Sequence, residues 1–228
     1  MRRKSRKFPI IIILIILVII GASAVGLYEH MLDTKIYTAS DFGIQTIKSK
    51  NDANGNGIDD YADIMLGARI DAQNKPTLKS VYYAGGYPPD NEGVCTDTIW
   101  RAFKNAGYFL KDLVDEDIKN NISLYPRVEG NRDANIDFRR VPNLKVYFDR
   151  HAISYSLDPT KLKEWQPGDI VIFGKDYSHI AIVSDKRNRD GATYIIHNNG
   201  QPNREENALI SYSKFKPIVG HYRFENKP

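Results

Sequence analysis

The segment Gly93-Val94-Cys95-Thr96-Asp97-Thr98-Ile99-Trp100-Arg101-Ala102-Phe103 contains the one cysteine among 228 residues. Ile99, Ala102, Phe103 and Ala106 recur at helical spacing, which predicts a helix from Cys95 to Ala106 that stops at Gly107. A thiol at a helix start meets free backbone N–H groups and the positive end of the helix dipole, and both favour the reactive thiolate. A cysteine can equally be a small buried hydrophobe, so the rest of the chain has to supply the partners of a nucleophile. Two histidines do so. His179 opens the run His179-Ile180-Ala181-Ile182-Val183, and His197 closes Tyr194-Ile195-Ile196-His197. A histidine can take the thiol proton, and a further polar group can orient that histidine.

Outward from these runs, the second half of the chain has strand character. Residues 153–157, 170–173, 180–184, 194–198 and 219–224 read as short strands. Asp190-Gly191 is a hairpin signal, which makes the strands carrying His179 and His197 antiparallel neighbours with the two histidines at the same end. A one-residue shift in register would instead offer Asn198 as the third group, and both residues stay open at this point. In the first half, periodic apolar residues predict helices over residues 60–73, 109–121 and 143–151 in addition to the one at Cys95. Helices first and strands second give an α+β fold, with N-terminal helices packed on a small antiparallel sheet.

Three motifs, Gly93-Val94-Cys95-Thr96-Asp97, Arg139-Arg140-Val141-Pro142-Asn143-Leu144 and Gly220-His221-Tyr222-Arg223, carry a family resemblance, together with Gly168-Asp169 ahead of a strand. From about Asp60 to Phe224 the chain resembles the NlpC-type, papain-like bacterial cell-wall cysteine peptidases and amidases. Within them it is most similar to a branch catalogued as a domain of unknown function. The resemblance implies a papain-like fold over residues 64–228 and a hydrolase that cuts an amide bond through Cys95, His179 and His197. It further implies peptidoglycan or another peptide amide as substrate, no organic cofactor, and a tyrosine hydroxyl near the nucleophile from the segment upstream, with Tyr83 the candidate and Tyr82 beside it. Arg140 of the Arg139-Arg140 pair is the candidate grip on a substrate carboxylate. Asp97 favours the helix dipole but opposes a nearby thiolate. The alternative function is a non-catalytic cell-wall binding or scaffolding module.

The composition is that of a folded protein, with 42% hydrophobic and 26% charged residues. The net charge of +4 rests largely on Arg2, Arg3, Lys4, Arg6 and Lys7. Without that cluster the chain is close to neutral, which excludes nucleic acid as a partner. Residues 1–7 form a basic tail, and residues 8–28 an apolar segment with no charge between Pro9 and Leu27. Such a run is near the roughly 20 residues that cross a bilayer as a helix, and the basic tail before it orients the rest of the chain outside the cytoplasm. Ala22-Ser23-Ala24 also suits signal-peptide cleavage, which leaves the domain equally outside. Residues 29–50 read as a linker or stalk, with a short helix near residues 42–47.

Residues 51–63 follow the calcium-loop template. Asp52, Asn54, Asn56, Asp60 and Asp63 fall at loop positions 1, 3, 5, 9 and 12, Gly57 occupies the turn, and Ile58 offers a carbonyl. The expected ligand is a structural calcium ion at the start of the following helix. The same residues also suit an Asn/Gly turn without an ion.

Overall fold

The computed structural model describes residues 7–225 of the chain, which divides into two compact units, residues 1–36 and 37–228. The first unit holds one helix, α1 (Lys7–Thr34). The side chains of residues 7–11, 14 and 27–34 lie outside the described residues, as does the basic tail before Lys7. Among the described residues no helix is long and apolar enough to cross a membrane.

The second unit is a mixed α+β domain. Helix α2 (Asp60–Asn74) buries Tyr61, Ile64, Met65, Ala68 and Ala72, the apolar stripe of its sequence. It ends where Lys75 turns to positive φ ahead of Pro76. Helix α3 (Cys95–Asn105) crosses it so closely that a Cβ on Gly67 would lie 2.5 Å from the Asn105 Cβ and 2.9 Å from the Ala102 Cα. Helices α4 (Leu110–Asn121) and α5 (Val141–His151) complete this layer, and Pro142 sits in the first turn of α5, where no backbone donor is lost.

Two short strands, β1 (Thr77–Leu78) and β2 (Glu92–Gly93), pair in parallel just before α3. The main sheet holds β3 (Ala152–Ser154), β4 (Ile170–Phe173), β5 (His179–Arg187), β6 (Thr193–Ile196), β7 (Glu205–Glu206) and β8 (Ile218–Phe224), in the order β3-β8-β4-β5-β6-β7. All neighbours within it are antiparallel. A last helix, α6 (Leu209–Phe215), lies between β7 and β8 in sequence.

The sheet is covered on both faces, which explains its continuous apolar runs. Ile170, Ile172, Ile180, Ile182 and Ile196 join Ile99, Phe103 and Phe148 in the larger core. Val171, Phe173, Ala181, Val183 and Ile195 point the other way, onto Trp165 and Leu209. Period-two alternation thus sorts side chains between two buried layers rather than between core and water.

The largest departure from the sequence reading is at residues 29–50. Helix α1 continues to Thr34, and residues 37–50 lie against the domain instead of forming a stalk. Tyr37 exchanges both backbone hydrogen bonds with Arg187 at 2.7 and 2.9 Å, Ala39 and Ile44 are buried, and the Ile47 N–H reaches Gln166 Oε1 at 3.0 Å. The short helix is a 3-10 turn at Ala39–Phe42, ended by Gly43 in the left-handed region. The first predicted strand shortens to Ala152–Ser154, while α6 and the pairs β1–β2 and β6–β7 are additions.

Candidate active site

The parallel pair β1–β2 delivers the chain to α3, where Cys95 is the first helical residue. Asp97, in the first turn of α3, closes the helix start by accepting the Val94 N–H at 2.8 Å. The same carboxylate accepts Trp100 Nε1 at 2.8 Å and a two-pronged contact from Arg139, at 2.7 Å to Oδ1 and 2.9 Å to Oδ2. Arg139 also donates to the Val81 carbonyl at 2.9 Å. Both side chains of this ion pair are buried. The charge by which Asp97 opposes a thiolate is therefore met by a guanidinium in contact.

Cys95, Thr96, Ser80, Arg139, His179 and Asn198 all contribute to the wall of one cavity of about 260 Å³, together with Leu78 and Asn199. His179 begins β5, and His197 follows the last residue of β6. The register Ile182↔Ile196 brings them to one end of the strand pair, where His179 Nε2 lies 2.7 Å from His197 Nδ1. His197 Nε2 in turn lies 2.9 Å from Glu206 Oε1, on β7. Gln201, in the loop before β7, donates to the His197 carbonyl at 3.1 Å. Tyr212, from α6, packs its ring 5.1 Å from His179 and 5.8 Å from His197.

His179 and His197 are buried, and burial governs the protonation of the site. Burial pushes the Cys95 thiol up to about 11, against hydrogen bonds from the Ile180 and Thr96 backbone that favour the thiolate. Burial, with lesser contributions from the neighbouring His197 and Lys216, pushes His179 down to about 3. Thiol and imidazole therefore rest as a neutral pair across the neutral pH range. Because the folded-state value of His179 lies below its free value of 6.5, its contribution to stability is present above pH 6.5 and lost as pH falls towards 3.

Asn198 lines the cavity without being the partner of His179, and the remaining candidates, Tyr82, Tyr83 and Arg140, lie outside the cavity wall. The Asn198 amide donates to the Pro76 and Gly93 carbonyls at 3.3 and 3.1 Å, so it clamps the segment before the cysteine while His197 contacts His179. Tyr83 donates to Glu92 at 2.6 Å and lies under the Arg139 guanidinium, outside the residues lining the cavity. Tyr82 accepts from Asn135. Arg140 turns to the Arg127 carbonyl and to Asp137, and its neighbour Arg139 lines the cavity instead.

The Gly168-Asp169 and Gly220-His221-Tyr222-Arg223 motifs meet in a separate buried cluster. Asp169 accepts Arg223 Nε at 2.7 Å, Arg223 again at 2.8 Å through its terminal nitrogen, and the Gln166 N–H at 2.9 Å. His221 lies 3.0 Å from Asp169 and stacks on Trp165 with ring centroids 3.7 Å apart. Gly168 has φ +85, and a Cβ there would lie 2.2 Å from the Tyr61 carbonyl oxygen, which explains the glycine. His151 contacts Asp117, and the side chain of His30 lies outside the described residues.

In the loop before α2, Asp52 accepts the Asn56 and Gly57 N–H groups at 3.1 and 2.8 Å. Asn54 and Asn56 converge on Asp63 through their amides, at 2.6 and 3.0 Å to Oδ2. Asp60 faces inward: its carboxylate accepts the Ala53 N–H and the Tyr108 hydroxyl. Ile58 is exposed.

Comparison with known proteins places the chain in a family. The chain is similar to the "Uncharacterized protein YijF" of Escherichia coli (strain K12), 39% identical over 155 residues that span 65% of this chain and 72% of that protein. Residues 65–224 match the family described as "Domain of unknown function (DUF1287)", a match that takes in the cysteine, both histidines and Glu206. With more than half of its 228 residues matched, the chain belongs to the DUF1287 family.

Proposed function

We propose that this protein is a cysteine hydrolase of papain-like, NlpC-type descent that cleaves an amide bond, with peptidoglycan peptides as the substrate class. The observation that carries the reading is a cysteine that opens a helix and shares a cavity with His179, which His197 contacts from behind at 2.7 Å. His179 takes the Cys95 proton through Nδ1, the ring nitrogen that the His197 contact leaves over. The sulfur attacks the amide carbonyl carbon, and the Cys95 N–H at the helix start donates to the developing oxyanion. The C–N bond then breaks, His179 returns the proton to the departing amine, and a thioester remains. Water adds to the thioester carbon and gives its proton to His179. The C–S bond breaks, which releases a carboxylic acid and restores the thiol. Because the resting pair is neutral, the proton moves as the sulfur attacks and no preformed ion pair is required. Incubation of the protein with purified peptidoglycan fragments, read by mass spectrometry, tests this: loss of a peptide piece with uptake of one water is expected. Unchanged fragments together with an inert thiol would leave the scaffolding reading in its place.

The same reading puts the domain outside the cytoplasm, held by the apolar segment at residues 8–28 or released after cleavage there. The uncharged run from Pro9 to Leu27 behind a basic cluster supports it. Protease added to intact cells without an outer membrane is expected to degrade the domain, and protection would reverse the orientation.

The loop at residues 51–63 is proposed to hold a structural calcium ion. The residue types fit, since Asp52, Asn54, Asn56, Asp60 and Asp63 bring hard oxygen donors to one turn and Ile58 a backbone carbonyl. Asp60 supports the loop from behind, through Ala53 and Tyr108. An ion that binds only the folded state stabilises it by about 2.7 kcal/mol at a hundredfold excess over its dissociation constant. That corresponds to a rise of about 5–10 °C in Tm for a domain of this size. Asp52→Ala is expected to remove most of the rise. Calorimetry with no binding at millimolar calcium would leave an ordinary Asn/Gly turn.

A further inference from the structure

The His179–His197 contact leaves a question of chemistry open. Each neutral imidazole carries one N–H, and only one of the possible arrangements leaves His179 Nδ1 with the lone pair that a general base needs. The residue that selects it must touch the far side of His197. Glu206 does so, with Oε1 2.9 Å from His197 Nε2. Its placement follows from strand geometry. β7 is only two residues long and pairs with β6 through Ile196↔Glu205 and Ile195↔Glu206. Successive side chains of a strand point to opposite faces. Glu205 therefore goes to one face, where Arg69, Lys186 and Ser184 hold it, and Glu206 goes to the other, against His197.

Gln201 restricts the alternatives. Its Oε1 accepts the Asn199 N–H at 2.7 Å and Arg204 at 3.4 Å, so its amide nitrogen faces the histidine. That nitrogen donates to the His197 carbonyl at 3.1 Å and to Glu206 Oε1 at 3.3 Å. It also lies 3.1 Å from His197 Nε2, where an amide N–H group cannot accept the ring proton. The acceptor left for the His197 ring N–H is the Glu206 carboxylate, whose oxygens only accept when it is ionised.

We infer that Glu206 is a positioning residue of the site, acting through His197 to fix the tautomers of both histidines. Its carboxylate holds the proton of His197 on Nε2. His197 Nδ1 must then accept, so His179 carries its proton on Nε2 and keeps Nδ1 as the free base. The negative charge at the end of the chain also favours the positive charge that develops on His179 when it takes the thiol proton. This rests on the proposed role of His179 as the base for Cys95. It adds a member to the site that is neither nucleophile nor base and touches no reacting atom.

The test is Glu206→Gln in the full chain, with Glu206→Asp and Glu206→Ala beside it. A glutamine amide can donate to His197 Nε2, which would turn the whole chain of hydrogen bonds round and place the His179 proton on Nδ1. Nitrogen NMR of histidine-labelled protein reads the tautomer directly. Iodoacetamide followed by intact mass reads the base, because Cys95 is the single thiol. Expected for Glu206→Gln is a shift of the His179 proton to Nδ1 and alkylation about 10–100-fold slower at pH 7, with the pH profile displaced to higher pH. This is smaller than the roughly 10⁴-fold loss when the buried aspartate of a serine-protease triad becomes asparagine, since Glu206 is partly exposed and water can replace part of its action. Glu206→Asp should recover much of the rate, and Glu206→Ala should give mixed tautomers. A merely structural role would lower Tm and leave tautomer and pH profile unchanged, and that result would overturn the inference, as would an unchanged tautomer in Glu206→Ala should the glutamine variant not fold. Wild-type protein that cleaves no fragment while its tautomers still follow Glu206 would remove the hydrolase reading and leave this one standing. Active wild type with an unaffected Glu206→Gln would do the reverse.

Discussion

Cys95→Ala is expected to abolish the proposed amide hydrolysis while the protein keeps its fold. The sulfur is the only atom in the cavity that can form the thioester, and without it the mechanism has no covalent intermediate. Catalysis by the remaining groups cannot make up the loss, because residues that act as one unit fail together. Activity is therefore expected to fall to the background of the fragment assay, at least about 10³-fold. The fold should survive because Cys95 is partly exposed and packs against the core from its edge. Alanine is also a good residue for a first helical turn. Mass spectrometry of treated fragments and a thermal melt together decide the matter. Full activity in a folded Cys95→Ala protein would sink the enzyme reading outright.

The largest expected effect on stability is at Asp97. Asp97→Ala leaves the Arg139 guanidinium buried with no counter-charge, and it removes the acceptor for Trp100 Nε1 and for the Val94 N–H at the helix start. Breaking one partner out of a buried ion pair costs about 3–5 kcal/mol, because the other charge stays in a medium that solvates it poorly. For a domain of this size that is a fall of roughly 6–20 °C in Tm. Asp97→Asn keeps the shape and one acceptor oxygen and should lose less. In whatever fraction folds, Cys95 should alkylate faster at a given pH, since the charge of Asp97 is among the causes that raise its thiol. A loss below 1 kcal/mol by chemical denaturation would show that water reaches Arg139 and that the pair is not the anchor described.

Much of this architecture can be read from the chain. The stripes of α2 through α5 follow their period because each buries one face, and β4, β5, β6 and β8 are marked by apolar runs bounded by glycine or polar turns. The Asp190-Gly191 turn fixes the neighbours β5 and β6, and with them the closeness of His179 and His197. What escapes sequence reading depends on contacts between distant residues. Residues 37–50 have no period of their own, and Arg187 and Gln166, more than a hundred residues away, hold them. Arg139 and Arg140 are neighbours of identical type, and only the 3-10 turn at Asp137–Arg139 decides which of them turns inward to Asp97. Glu206 and Gln201 carry no local signal, because a two-residue strand and a loop bring them to His197. Tyr212 reaches the histidines from a helix of seven residues, too short for periodicity to show.

The order of the sheet also bears on how this chain avoids its own kind. The apolar run at residues 180–183 lies on β5, hydrogen-bonded on both sides by β4 and β6. The strands at the two margins are β3 and β7, of three and two residues. An open margin is where a second molecule adds its own strand and begins an aggregate, and very short margins are one way proteins prevent this. Here the β7 margin is charged as well, with Glu205 tied to Arg69 and Lys186. The apolar run of β5 is thus one that the folded domain does not offer to a neighbouring strand.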